Sequence, residues 1–168
     1  MPADPVVAAL PGDALVLLVG PSGAGKSTWA AQRFDPAEVL SSDDFREWIA
    51  GDAADQSVNA AAFGALHRVA HDRLQQGLRT VVDATNLSIS ARRSLRRLAS
   101  GAGRPTVAVA FDVSLRRCLA QNAARPGRSV PPAVVRRQHR ALRPALALLP
   151  FEGFLAVHVI GEQDMPAA

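Results

Sequence analysis

Lysine is nearly missing from this sequence: of 19 Lys and Arg residues only Lys26 is a lysine, which leaves 18 arginines in a chain of 168 residues. Two causes can produce that imbalance, a composition bias towards Arg and selection for guanidinium groups, whose planar fork suits phosphates. Neither explains why the one Lys is where it is. Cysteine is as scarce. With Cys118 alone there is no internal disulfide and no zinc quartet, which fits a reducing compartment. Residues 1–10 hold no basic stretch followed by a hydrophobic one, and no apolar run is long enough to span a bilayer, so a cytoplasmic location is expected. What is present is 48% apolar and 20% charged residues with 12 Gly and 12 Pro, the composition of a globular chain with a core. A length of 168 residues suits a single domain over 1–168.

Charge is unevenly spread. Residues 1–83 carry 6 basic and 11 acidic groups, 84–151 carry 13 Arg against Asp112 alone, and 152–168 carry three acids, so a net +4 conceals a central stretch of +12. Such a stretch attracts a polyanion or several phosphates. Arg92, Arg93, Arg96 and Arg97 stand at i, i+4 spacing opposite Leu95 and Leu98 and are expected on the solvated face of a helix.

Short apolar runs at 14–19, 39–40, 80–82, 106–111 and 156–160 alternate with stretches of helical period at 26–33, 45–50, 58–76, 88–100, 115–124 and 132–142. The alternation predicts an α/β fold with a parallel sheet of four or five strands and helices on both faces. Ligands then sit beyond the carboxyl ends of the strands. After the first strand comes Gly20-Pro21-Ser22-Gly23-Ala24-Gly25-Lys26-Ser27-Thr28, a G-x-x-x-x-G-K-[ST] loop between strand and helix. Its glycines let backbone N–H groups close around phosphates, Lys26 reaches the β- and γ-phosphates, and the Ser27 hydroxyl can ligate Mg²⁺. Gly20, Ser22, Gly23, Ala24, Gly25, Lys26, Ser27 and Thr28 are therefore the expected nucleotide-binding set.

The second strand ends in Leu40-Ser41-Ser42-Asp43-Asp44-Phe45-Arg46. A kinase needs a carboxylate such as Asp43 to orient and deprotonate an acceptor hydroxyl, and Arg46, one turn later, can hold an acceptor's phosphate. That Asp43 merely caps the following helix remains a competing reading. The third strand closes on Asp83, placed to hold a water of the Mg²⁺ shell or to brace Ser27. No N-K-x-D guanine signature occurs, which argues against a GTPase. Arg125 and Arg128, in a Pro/Gly-rich loop within 121–131, read as a lid that stabilises charge in the transition state. His67 and His71 at i, i+4 have no third ligand and read as structural or solvated; Cys118, Trp29 and Trp48 read as core.

In order along the chain, the phosphate loop at 20–27, Leu-Ser-Ser-Asp at 40–43 with Arg46, Asp55-Gln56-Ser57, Thr80-Val-Val-Asp-Ala-Thr-Asn86, Arg125 with Arg128, and Val134-Val135-Arg136 resemble the bacterial 5′-hydroxyl polynucleotide kinase module of end-healing RNA-repair enzymes. The resemblance runs over residues 13–160. It implies an adenylate-kinase-like P-loop fold and transfer of the γ-phosphate of ATP, with Mg²⁺, to the 5′-OH end of RNA or DNA. It further implies Lys26, Asp43, Arg125 and Arg128 as catalytic groups, Asp43 being the base, Arg46 and Gln56 on the acceptor, and Ser27 at the metal, beside Asp83 as read above. Phosphatase and ligase modules are the partners it implies, by fusion or association. Two departures stand out: Gln121 where the related lid begins with Arg, and Pro144, which is expected to interrupt the helix after the lid. The residues themselves leave two other readings open, a kinase for a small hydroxylated metabolite or antibiotic, and a nucleotide-dependent binding module without phosphotransfer.

Overall fold

A computed structural model describes residues 4–165. In chain order the elements are α1 (Pro5–Ala8), β1 (Leu15–Val19), α2 (Lys26–Ala31), β2 (Val39–Ser41), α3 (Ser42–Ala50), α4 (Asn59–Gln75), β3 (Thr80–Asp83), α5 (Ile89–Gly101), β4 (Thr106–Asp112), α6 (Leu115–Ala123), α7 (Pro132–Leu148) and β5 (Ala156–Gly161). The five strands pair in parallel in the order β2-β3-β1-β4-β5. This is the expected α/β architecture, with helices on both faces.

Strand β1 is apolar throughout because neither face meets water. Val16 and Leu18 join a core with Trp29, Phe111, Cys118 and Val135 from α2, β4, α6 and α7. Leu15, Leu17 and Val19 join the opposite core with Leu66 and Leu74 of α4 and Leu95 and Ala99 of α5. All five β1 side chains are 0% exposed, and burying each of them stabilises the fold by roughly 1.5–3 kcal/mol. Trp29 packs edge-on against Phe34 and Phe111, with ring centroids 5.7 Å apart in each case. Cys118 is an inert core residue as expected, its thiol pKa pushed up to about 11 by burial.

Several expectations are corrected. Helix α3 begins at Ser42 because the Ser41 hydroxyl accepts the Asp44 N–H at 3.4 Å, so Ser41 is the cap and Asp43 lies inside the first turn. Helix α7 continues through Pro144 to Leu148. Leu142, Ala145 and Leu149 bury one stripe, while Pro144 lies on the exposed side, where the carbonyl of Arg140 that loses its donor is left to water. Arg92 is on no wet face: it is 0% exposed, paired through two nitrogens with Glu152. Trp48 is 78% exposed rather than core. No helix among the described residues is long and apolar enough to cross a membrane.

Candidate functional site

The sheet register builds the site. Asp83 at the end of β3 pairs with Leu18 of β1 on one side and Ser41 of β2 on the other, so the segments leaving all three strands emerge together at the carboxyl edge. The loop after β1 turns at Gly23 and Gly25, with φ of 79° and 90°. A Cβ on Gly23 would lie 2.1 Å from the Cys118 carbonyl oxygen, so only glycine lets the loop lie against α6. Lys26, 7% exposed, donates from Nζ to the Pro21 carbonyl at 2.9 Å. Burial lowers its pKa, with the charges of Asp83 and Asp43 pulling the other way. Burial likewise raises the pKa of Asp83 against the opposing effects of Lys26 and a hydrogen bond with Ser27.

Two cavities flank this loop. The first, about 140 Å³, takes in Lys26, Ser27 and Asp83 together with Asp43, Arg46, Gln56, Arg125 and Arg128. Every catalytic, acceptor and metal candidate read from the sequence therefore converges on one space. Both oxygens of Asp43 are engaged: Arg46 donates to Oδ1 and Arg125, from the loop between α6 and α7, to Oδ2 at 2.8 Å. Arg46 is itself fixed, its Nε donating to the Ala53 carbonyl at 2.7 Å and Nη1 to Asn59 Oδ1 at 3.2 Å. Gln56 reaches the same cluster by accepting from Asn59 Nδ2 at 3.0 Å. Arg128 pairs with Glu47 at 2.7 Å and Asp44 at 3.0 Å on the outer side of α3. Asn122 pins the end of the loop between α6 and α7, donating to the Val130 carbonyl at 2.8 Å and accepting its N–H at 3.1 Å.

The second cavity, about 250 Å³, opens on the other side of the loop, between Gly23, Gly25 and Thr28 and the side chains of Arg117, Gln121 and Met165. Lys26, Ser27 and Arg125 stand in the walls of both cavities. With its amide nitrogen turned to the loop, Gln121 donates to the Gly23 carbonyl at 2.7 Å and accepts from Arg117, so it braces the phosphate loop. Ser22 lines the first cavity, whereas Gly20 and Ala24 line neither: a Cβ at Gly20 would touch Phe111 Cβ at 3.2 Å, and Ala24 is 1% exposed.

Sequence reasoning missed Asn59 and Gln138. Gln138 of α7 accepts the Ser22 N–H at 2.8 Å. Its helical register puts it on the inward side of α7, but no spacing ties it to a loop 116 residues earlier. The hydroxyl and carboxylate of Ser27 and Asp83 are hard oxygen donors, and no cluster of three or more His, Cys, Asp or Glu able to hold a metal occurs among the described residues. That donor set suits Mg²⁺, which takes one or two protein ligands and completes its shell with phosphate and water.

The sequence profile of a family described as an AAA domain matches residues 15–145. A search of curated protein sequences finds no significant match. Among solved structures, a chain of the Pnkp1/Rnl/Hen1 RNA repair complex superposes with a TM-score of 0.68 at 19% identity, over 80% of this chain and 45% of that one. A chain of the AvrRxo1-ORF1:-ORF2 crystal structure with ATP gives 0.69 at 18% identity, over 88% and 54%. A gluconokinase from Sinorhizobium meliloti 1021 gives 0.55 at 19%, over 90% and 84%. The chain thus spans about half the length of the first two, and likeness at this level of identity establishes a common fold.

Proposed function

The chain belongs to the AAA domain family, and from that premise we propose that it is an ATP-dependent kinase that phosphorylates 5′-hydroxyl ends of RNA or DNA. One observation carries the reading: a carboxylate, Asp43, held by two arginines in the same cavity as the phosphate-loop lysine. The two cavities that meet at Lys26, Ser27 and Arg125 support a donor on one side and an acceptor on the other, as in-line transfer requires.

In the proposed reaction the loop N–H groups and Lys26 hold the β- and γ-phosphates. Asp43 accepts the proton of the acceptor hydroxyl as its oxygen bonds to the γ-phosphorus, and the bond from that phosphorus to the β–γ bridging oxygen breaks to release ADP. Arg125 and Arg128 neutralise charge on the transferring group. Arg46 and Gln56 hold the phosphate and sugar on the acceptor side. Ser27 and Asp83 would hold Mg²⁺, which would supply neutralisation of the phosphates' charge. The resemblance to an RNA-repair kinase module, and a fold shared with a chain of an RNA repair complex, support a nucleic-acid acceptor and association with phosphatase or ligase modules. The deciding experiment offers γ-labelled ATP and Mg²⁺ to a short 5′-OH oligonucleotide and to a panel of small alcohols, gluconate included. Label on the oligonucleotide is the expected result. Label confined to the small alcohols gives the chain a metabolite acceptor, and label on nothing removes the transferase reading.

A further inference from the structure

A first cavity of about 140 Å³ has room for the reacting end of an acceptor and little more. Beside it lies a shallow groove of about 420 Å³ between α4, the segment leading into α5, and α7, within the roughly 300–1,000 Å³ of pockets that take a whole small ligand. The two are continuous, since Phe63, Thr85 and Gln138 stand in the walls of both. Phe63 lies one turn along α4 from Asn59, the residue that holds Arg46. A chain bound at Arg46 and leaving along α4 therefore enters this groove.

The groove's chemistry is divided. Phe63, Leu87, Ala91 and Ala141 make an apolar floor, and Arg137 stands in its wall. Arg137 is exposed and has no partner among the described residues. In that it differs from Arg46, Arg125 and Arg128, each of which is bound to a carboxylate. Arg140, one turn further along α7, is also exposed and unpartnered. An apolar floor with a free guanidinium in its wall fits a base and sugar followed by a phosphodiester; a small neutral metabolite has nothing for Arg137 to bind.

We propose that this groove is the subsite for the second nucleotide of a single-stranded acceptor, with base and sugar on the Phe63–Ala141 floor and Arg137 on the phosphate that follows. The proposal rests on the acceptor reading above and narrows it: the enzyme measures strand length, gaining affinity from the second nucleotide.

The test compares three 5′-OH acceptors under ATP and Mg²⁺: a nucleoside 3′-monophosphate, a dinucleotide with a 3′-phosphate, and a tetranucleotide. The wild type should show a KM about tenfold lower for the dinucleotide than for the mononucleotide, the yield of one charge-assisted contact. Arg137→Ala should cancel that gain, leave kcat and the mononucleotide KM unchanged, and reduce the salt dependence of log KM for the dinucleotide by about 0.7, the share of one phosphate contact on a single strand. Arg137→Lys should restore much of both. Ala141→Trp, which fills the floor, should act like Arg137→Ala. Equal KM values for mono- and dinucleotide, or an Arg137→Ala effect shared by the mononucleotide, overturn the groove while leaving the acceptor reading in place. Transfer to none of the three acceptors overturns both.

Discussion

Among the arginines of α5, Arg92 alone is fully enclosed. It donates from Nε to Glu152 at 2.9 Å and from Nη1 to the carbonyls of Asn86 and Leu87 at 2.9 and 2.8 Å, tying the segment after β3 to the turn before β5. Removing one partner of a buried pair strands the other charge, which costs about 3–5 kcal/mol. Glu152→Ala should therefore lower unfolding stability by that amount in a denaturant titration, while Arg93→Ala, at an exposed position without a partner among the described residues, should stay within about 0.5 kcal/mol of wild type. A loss below 1 kcal/mol for Glu152→Ala contradicts the buried-pair account. The same scale carries the chemistry. Asp43→Ala should lower transfer by about 10²–10⁴-fold, the worth of a general base, with ATP affinity by calorimetry no weaker than wild type; a variant that keeps its rate removes Asp43 from the base role. The pairing of Asp43 with Arg46 was legible because the two stand three residues apart just after a strand. Arg92 was not, because its i, i+4 relation to Arg96 outweighed its place three residues before Leu95 and seven before Ala99, the buried stripe it in fact extends. Glu152, 60 residues on, leaves no local trace.

Elements whose cause is local were easier to read than those settled by packing. The strands stand where the apolar runs predicted, since burial on both faces removes polar alternation, and their ends agree to within a residue or two. The start of α3 was displaced because Ser41, not Asp43, supplies the capping oxygen. Helix α7 shows tertiary contacts overriding a local breaker. A proline in a helix interior costs about 3 kcal/mol relative to alanine, offset by roughly 0.4–1 kcal/mol from its stiffening of the unfolded chain. Pro144→Ala would supply an N–H to the waiting Arg140 carbonyl on a face where nothing else packs, and should raise stability by about 2 kcal/mol, or roughly 4–8 °C in Tm. A destabilised Pro144→Ala protein would mean that the helix depends on a bend at that point. Because α7 also carries Gln138 to the phosphate loop and Arg137 to the groove, ATP affinity of the same variant reports whether straightening the helix disturbs the site.

Across the whole molecule, the candidate site is assembled by topology rather than by any one segment: the loop after β1, the first turn of α3 after β2, the end of β3 and the loop before α7 meet only because β1 and β3 are neighbours in the sheet. That arrangement assigns Arg125 two incompatible tasks. It stands in the walls of both cavities, yet its guanidinium is spent on Asp43 at 2.8 Å, so in the proposed reaction it cannot at once hold Asp43 and clamp the donor's phosphates. Phosphates of higher charge compete for it more strongly than one carboxylate does. ATP binding should draw Arg125 away and free one oxygen of Asp43 for an acceptor hydroxyl, which makes donor and acceptor binding mutually supportive. A coupling of this kind is typically 1–3 kcal/mol, about 5–150-fold. Titrating a 5′-OH oligonucleotide by calorimetry, with and without a non-hydrolysable ATP analogue, should show tighter acceptor binding in its presence, and by reciprocity the oligonucleotide should tighten the analogue by the same factor. Arg125→Ala should abolish the coupling and bring acceptor binding without nucleotide up towards the coupled wild-type value. Independent binding in the wild type would refute the coupling, and coupling that survives Arg125→Ala would place the communication at a residue other than Arg125.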